Sequence, residues 1–201
     1  MKLPDTIVMA SGNPGKTAEI SALLAHLDVR VVPQSEFGVS AADESGATFA
    51  DNAVIKAKHA AAATGLPAIA DDSGLCVDVL DGRPGVRSAR YAGEDASDDS
   101  NIDKLLAELD GVREHDRNAE FQCVACFVYS EDAEPLLAIG RWRGHILKAR
   151  SGNGGFGYDP VFFDPELGKS AAELSADEKN ASSHRGKALR ALADLLGATP
   201  A

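Results

Sequence analysis

The residues best suited to chemistry fall in five short stretches. The first is Ser11, Gly12, Asn13, Pro14, Gly15 and Lys16, between a short apolar run and a helical pattern. A helix N-terminus preceded by glycines offers backbone N–H groups and the positive end of a dipole, which together suit phosphate. Lys16 in the first turn is unfavourable for the dipole alone, so a nearby anion accounts for it; an ordinary capped turn is the competing account. The second stretch, Asp71, Asp72, Ser73 and Gly74, puts adjacent carboxylates at the expected end of a strand. Such a pair suits a divalent cation, a general base or both, and equally a polar turn closed by Asx hydrogen bonds.

The third feature is a pair of lysines. Lys56 lies on an alanine-rich helix with Asn52 one turn earlier on the same face, and Lys179 follows a capping box near the C-terminus. For each, a solvated surface charge is the ordinary alternative. The fourth stretch runs from Gly154 through Phe156, Gly157, Tyr158 and Asp159 to Pro160. Glycines beside an aromatic ring let backbone approach a flat ligand while the ring stacks on it, although a tight turn with a gap-filling ring has the same composition. The fifth is Ser183, His184, Arg185 and Gly186 at the start of the last helix. His184 and Arg185 can donate hydrogen bonds to a carbonyl oxygen such as the 6-oxo group of a purine, or stand as two exposed cations on a capped helix.

Residues 10–17 also fit a relaxed P-loop pattern, with Gly15-Lys16-Thr17 at its end. Ala10 stands where the strict pattern needs glycine, and Pro14 removes one N–H from a loop meant to surround phosphate. Leu66 to Asp71 would serve as the metal-binding strand of such a protein. Cys123 and Cys126 form a C-x-x-C, but in a β-rich stretch residues three apart point to opposite faces, and no second pair completes a zinc site. Two small core cysteines are the favoured reading.

The elements that must position these groups read as follows. Strands are expected at 6–10, 29–32, 66–70 and 75–80, with a helix after Asn13 marked by Ile20, Leu23, Leu24 and Leu27. A second helix starts at a Thr48/Asp51 capping box and stops at Gly65. A third covers 102–109, and a last one carries Ala188, Leu189, Leu192 and Leu196 and ends at Gly197. Segments 118–130 and 135–147 form a hairpin. Two βα units followed by a long hairpin predict an α/β fold around a mixed sheet with flanking helices.

With 201 residues the chain is long enough for one large domain that needs no disulfides. Its formal net charge of −11 argues against nucleic-acid polymers and anionic membranes, but not against one small phosphate ligand held by local lysines and a metal. The N-terminal run lacks the length and cleavage site of a signal peptide, and the three cysteines are odd in number, so reduced thiols and a cytoplasmic setting are expected.

Taken in order, these stretches resemble the inosine triphosphate pyrophosphatase family, the XTP/dITP pyrophosphatases. The resemblance rests on Ser11 to Lys16 with Glu19, on Thr48-Phe49 with Asn52, Lys56 and Ala57, and on Ala70 to Gly74. It continues through Pro84 to Tyr91, Gly154 to Pro160 and Ser183 to Gly186. It implies a single domain over residues 1–201, elongated and two-lobed, with a cleft between the lobes, and a homodimer. The implied reaction is hydrolysis of the purine nucleoside triphosphates ITP, dITP or XTP to the monophosphate and pyrophosphate. By that resemblance Asp72 is the general base, and Glu44 and Asp72 hold Mg²⁺. Ser11 to Lys16, Lys56, Ser73 and Lys179 bind the phosphates, and Phe156, Gly157, Tyr158, Asp159, His184 and Arg185 hold the base. The role of Asp71 stays open. A P-loop NTPase or kinase, and a nucleotide sensor without turnover, are the alternatives.

Overall fold

The computed structural model describes residues 4–12, 16–17, 20–21 and 29–198. Asn13, Pro14, Gly15 and Glu19, and the helix positions Leu23, Leu24 and Leu27, lie outside the described residues. The sheet has seven strands. In chain order these are β1 (Thr6–Met9), β2 (Arg30–Pro33), β3 (Ala68–Val77), β4 (Asn118–Val128), β5 (Leu136–Ile146), β6 (Phe162–Asp164) and β7 (Lys169–Ser170). Their order across the sheet is β2-β1-β3-β4-β5-β6-β7. Pairing is parallel for β1 with β2 and β3, and antiparallel for β6 with β5 and β7, so the sheet is mixed as the sequence predicts.

The chain divides into two compact units. One comprises Met1–Asp72, Cys123–Gly140 and His184–Ala201, the other Ser73–Gln122 and Arg141–Ser183. The core of the first unit packs Ile7, Met9 and Ile69 of the parallel strands with Phe127 of β4 and with Ala188, Leu189, Leu192 and Leu196. Those last four recur at helical spacing along the final helix, α4 (His184–Ala198), and so present one apolar face. That helix continues through Gly197, where the sequence suggested a stop. The core of the second unit gathers Leu75, Ile102, Leu105, Phe121, Trp142, Tyr158 and Phe162. Trp142 is buried with its indole N–H donating to Asp164 Oδ2 at 2.7 Å, so its polar atom is satisfied.

Helix α1 (Phe49–Thr64) follows its sequence signals closely. Thr48 accepts from the Asp51 N–H while the Asp51 carboxylate accepts from Thr48, and Gly65 closes the helix at φ 67°. Its buried stripe is Phe49, Asn52, Ala53, Ala57, Ala60 and Ala61, and the small alanines let the helix lie close to its neighbours. Helix α2 (Asp98–Glu108) starts four residues earlier than its apolar pattern suggests. Ser97 caps it by accepting from the Ser100 N–H, and Asp98 and Asp99 complement the dipole in the first turn.

The largest departure is β3. The sequence separates a strand ending at Ala70 from another over 75–80, but Ala68–Val77 is one uninterrupted strand, and Asp78–Leu80 is a 3₁₀ turn. Asp, Ser and Gly disfavour strands locally, yet the strand that contains them has β1 along its start, at Ala68 and Ile69, and β4 on its other side, and sheet pairing overrides that preference.

Cys123 packs in the core of the first unit, whereas the charged neighbour that Cys126 feels is Lys58 on α1, so the two thiols face opposite sides of β4. Burial pushes the Cys126 thiol up to about 12 and the Cys123 thiol higher still. Both are therefore expected to resist a disulfide reagent at about pH 8 in the native protein and to react on unfolding in urea. Mass mapping of rapid native labelling at either site would contradict this.

Candidate active site

Asp71 and Asp72 are neighbours in the middle of β3, so their side chains leave the strand on opposite faces. This alone gives them different surroundings. Asp71 is 2% exposed and meets two cations: Lys16 Nζ donates to its Oδ2 at 3.0 Å and Arg185 Nε to the same oxygen at 3.3 Å. Lys16 belongs to the helical segment after β1, and Arg185 to the first turn of α4. Burial on its own would raise the Asp71 pKa, but Lys16, then Arg185 and Lys56, outweigh it and hold the carboxyl well below the usual range.

Asp72 meets α1 instead. Lys56 Nζ donates to Asp72 Oδ1 at 3.0 Å, and Asn52 Nδ2 donates to Asp72 Oδ2 at 3.2 Å. Residues four apart on a helix share a face, which is why one helix supplies both donors. Glu44 Oε1 lies 3.4 Å from Lys56 Nζ. Burial raises the Asp72 pKa above the ordinary carboxylate value; the attraction of Lys56 opposes the rise and Glu44 adds to it. Lys56 shows the converse. Burial would lower its pKa, but Asp72, Glu44 and Asp71 together raise it.

A cavity of about 220 Å³ opens beside this cluster, lined by Ser11, Gly12 and Lys16 after β1, by Gln34, Ala41, Ala42 and Glu44, and by Lys56 and Asp71. The described part of the first stretch, with Lys16, thus shares one cavity with Lys56, Asp71 and Glu44. Among the described residues no group of three or more His, Cys, Asp or Glu side chains is arranged to hold a metal ion. The donors present are the two carboxylates flanking Lys56. Such a set suits a hard divalent cation that takes its remaining ligands from phosphate and water.

His184 and Arg185 are buried, at 7% and 4% exposure, which overturns the picture of two exposed cations on a helix cap. Gly140 of β5 is what lets that helix start sit so close. A Cβ there would stand 2.0 Å from the His184 carbonyl oxygen and 2.5 Å from the Ala188 nitrogen. Ser73 follows Asp72 along β3 and is half-buried.

The second unit holds the glycine-rich stretch. Phe156 is 44% exposed, an uncommon position for a ring that no core needs. Its N–H donates to Asp159 Oδ2 at 2.9 Å, and Lys179 forms an ion pair with that same carboxylate. Lys179 Nζ also lies 4.6 Å from the centre of the Phe156 ring. Lys179 belongs to helix α3 (Ala176–Ser182), whose capping box of Ser175 and Glu178 forms as the sequence indicates. Gly155 adopts φ 74° and approaches so closely that a Cβ would stand 2.1 Å from Asp159 Oδ2. Gly157 N–H donates to Asp98 Oδ2 at 2.6 Å. Tyr158 is turned inward, 4% exposed, with its hydroxyl donating to the Ser88 carbonyl at 2.8 Å. It anchors the loop from beneath.

Sequence reasoning brought forward the lysines, the two aspartates and the spacing of Asn52 from Lys56, and left the role of Asp71 open. The structure adds that Asp71 is the partner of Arg185 and that the Asn52 amide bonds Asp72. Gln34, which lines the cavity, left no signal in the sequence.

Comparison with known proteins supplies an independent line. A sequence model of the Ham1 family matches residues 7–195. The dITP/XTP pyrophosphatase of Pectobacterium atrosepticum is 56% identical over 191 residues, covering 94% of this chain and 97% of its own. The enzyme of the same name from Escherichia coli O157:H7 is 53% identical with the same coverage. Among solved structures, a HAM1 protein from Coxiella burnetii superposes with a TM-score of 0.91 at 48% identity, covering 96% of this chain and 98% of that one. The Staphylococcus aureus Ham1 protein gives 0.88 at 41%, covering 97% and 100%.

Proposed function

The chain belongs to the Ham1 family, and from that premise we infer that it is a nucleoside triphosphate pyrophosphatase that converts dITP, ITP or XTP to the monophosphate and pyrophosphate. The observation that carries this reading is Asp72. It is a carboxylate of raised pKa, gripped by Asn52 and Lys56, in the unit whose cavity is lined by Lys16, Lys56 and Glu44.

A carboxylate that is only weakly basic makes a poor proton acceptor near neutral pH, and burial moves Asp72 in the useful direction. In our reading Asp72 takes the proton of the water that attacks the α-phosphorus. Lys16 and Lys56 neutralise the phosphate oxygens as charge builds on them, with Ser11 to Gly15 and Ser73 contributing donors. The cavity is smaller than the roughly 300–1,000 Å³ usual for a whole small-molecule site, which suits it to the phosphates rather than the entire nucleotide. Glu44 and Asp72 would hold a divalent cation, which we take to be Mg²⁺ and which when bound supplies charge neutralisation on the polyphosphate.

We assign the purine to Phe156, Gly157 and Asp159, with Tyr158 as the anchor of that loop, and Lys179 to the phosphates. His184 and Arg185 present N–H donors to the 6-oxo group. Asp71 fixes the Arg185 guanidinium by its Nε edge, so the donor is oriented before substrate arrives. The 6-amino group of adenine would leave such donors unmatched, and sites built on polar pairing discriminate by about 10⁴-fold or more. A homodimer in the cytoplasm is the assembly and setting we propose.

Incubation with ITP and Mg²⁺ followed by phosphorus NMR of the products tests the reading. IMP and pyrophosphate are expected, with turnover stopped by EDTA. IDP and orthophosphate would indicate cleavage at the γ-phosphate, and binding without any product would indicate a sensor.

A further inference from the structure

We propose that Asn52 is a positioning residue for the hydrolysis, fixing the Asp72 carboxylate through its amide N–H and the Glu44-bearing loop through its carbonyl. The inference rests on Asp72 being the general base. Asn52 is 1% exposed, within a stripe of α1 that is otherwise alanine and Phe49. A primary amide buried there is costly unless both its ends are bonded. Both are: Nδ2 donates to Asp72 Oδ2 at 3.2 Å, and Oδ1 accepts from the Gly46 N–H at 2.8 Å. These partners dictate the amide's orientation, because a flip would set its oxygen against a carboxylate and its NH₂ against an N–H.

The terminal torsion of an aspartate is broad, so a carboxylate held by one oxygen is free to turn. Here each oxygen has its own donor, Lys56 on Oδ1 and Asn52 on Oδ2, one helical turn apart. The plane of the base is therefore set by α1. The same amide seats the loop. Gly46 lies so close that a Cβ would stand 2.6 Å from both Asn52 Oδ1 and Asp51 Cβ. At the loop's other end, Gln34 Nε2 at 3.4 Å and His59 Nε2 at 3.0 Å both hold the Ser40 carbonyl. Ala41, Ala42 and Glu44 line the cavity between those two tethers. One buried side chain thus links the orientation of Asp72 to the seat of Glu44.

The test is a double-mutant cycle on dITP hydrolysis with Mg²⁺, using Asn52→Ala, Asp72→Asn and the pair. Asn52→Ala should lower kcat by about 10-fold to 10²-fold, the scale of a misplaced catalytic group, and move KM little. In the Asp72→Asn background it should cost several-fold less, because the part of its effect that passes through that carboxylate is already lost and only the part through the Glu44 loop remains. Hydrogen exchange gives a readout apart from activity. The Gly46 amide should be protected in the wild type and exposed to exchange in Asn52→Ala. Asn52→Asp, which keeps the shape and the acceptor for Gly46 but sets a second carboxyl oxygen against Asp72 in place of the amide donor, should retain that protection and still lose kcat. Wild-type kcat in these variants, equal losses in both backgrounds, or failure of both to fold would overturn the role. A wild type that makes no dIMP and pyrophosphate would instead overturn the functional reading beneath it.

Discussion

Asp72→Asn is expected to lower kcat for dITP by about 10²-fold to 10⁴-fold, the usual contribution of a positioned general base, while nucleotide affinity stays close to that of the wild type. The amide has nearly the carboxylate's shape and can still accept from Lys56 or Asn52, so the site should remain assembled. What it loses is the capacity to take a proton from water. Removing the charge also takes away the nearest of the carboxylates around Lys56, leaving Glu44 at 3.4 Å and the more distant Asp71, which favours rather than weakens phosphate binding. Steady-state kinetics and equilibrium binding of dITP separate the two effects. A kcat within a few-fold of wild type would remove Asp72 from the chemistry and turn attention to another base.

The second large effect concerns stability rather than rate. Asp71→Ala should cost about 3–5 kcal/mol, the range for removing one member of a buried ion pair, with the slope of the urea transition unchanged. The reason is asymmetry. The Arg185 side chain is 5% exposed and cannot recover its hydration when the carboxylate goes, whereas Lys16, at 18%, regains part of its own. The loss should therefore fall toward the lower end of that range. The same variant is expected to blunt the preference for ITP over ATP, since Arg185 is no longer held by its Nε edge. A loss below about 1 kcal/mol, typical of surface pairs, would mean that Asp71 is not the anchor its contacts imply.

These two residues also show what a sequence gives away. The capping box of α1, its glycine stop and the i, i+4 pair of Asn52 and Lys56 are local signals, and each appears in the fold as its pattern suggests. Lys16, Lys56 and Asp72 were legible because their types matched a chemistry, and Glu44 through the family resemblance alone. The continuity of β3 was not, because Asp71 to Gly74 reads as a turn until the pairing of the strand in the sheet is known. The burial of His184 and Arg185 was also hidden. It depends on Gly140, whose missing side chain matters only because a helix 44 residues later, at His184, comes to rest against it. Strands β6 and β7, of three and two residues, are too short to carry any periodicity. Local rules reach capping and facing; they do not reach requirements that one distant segment imposes on another.

The placement of two successive aspartates on opposite faces of β3 constrains how this gene can vary. Loss of a single codon just before Asp71 would bring Asp72 to Lys16 and Arg185 and put Ser73 where Asp72 meets α1. Gain of one would turn Asp71 toward α1 and put the inserted residue in its place beside Lys16 and Arg185. Pairing of Val8 with Ala68 and Met9 with Ile69 guards against that slip. Residues 68–70, all fully buried, should therefore tolerate no change in length and only small apolar side chains or ones of matching volume.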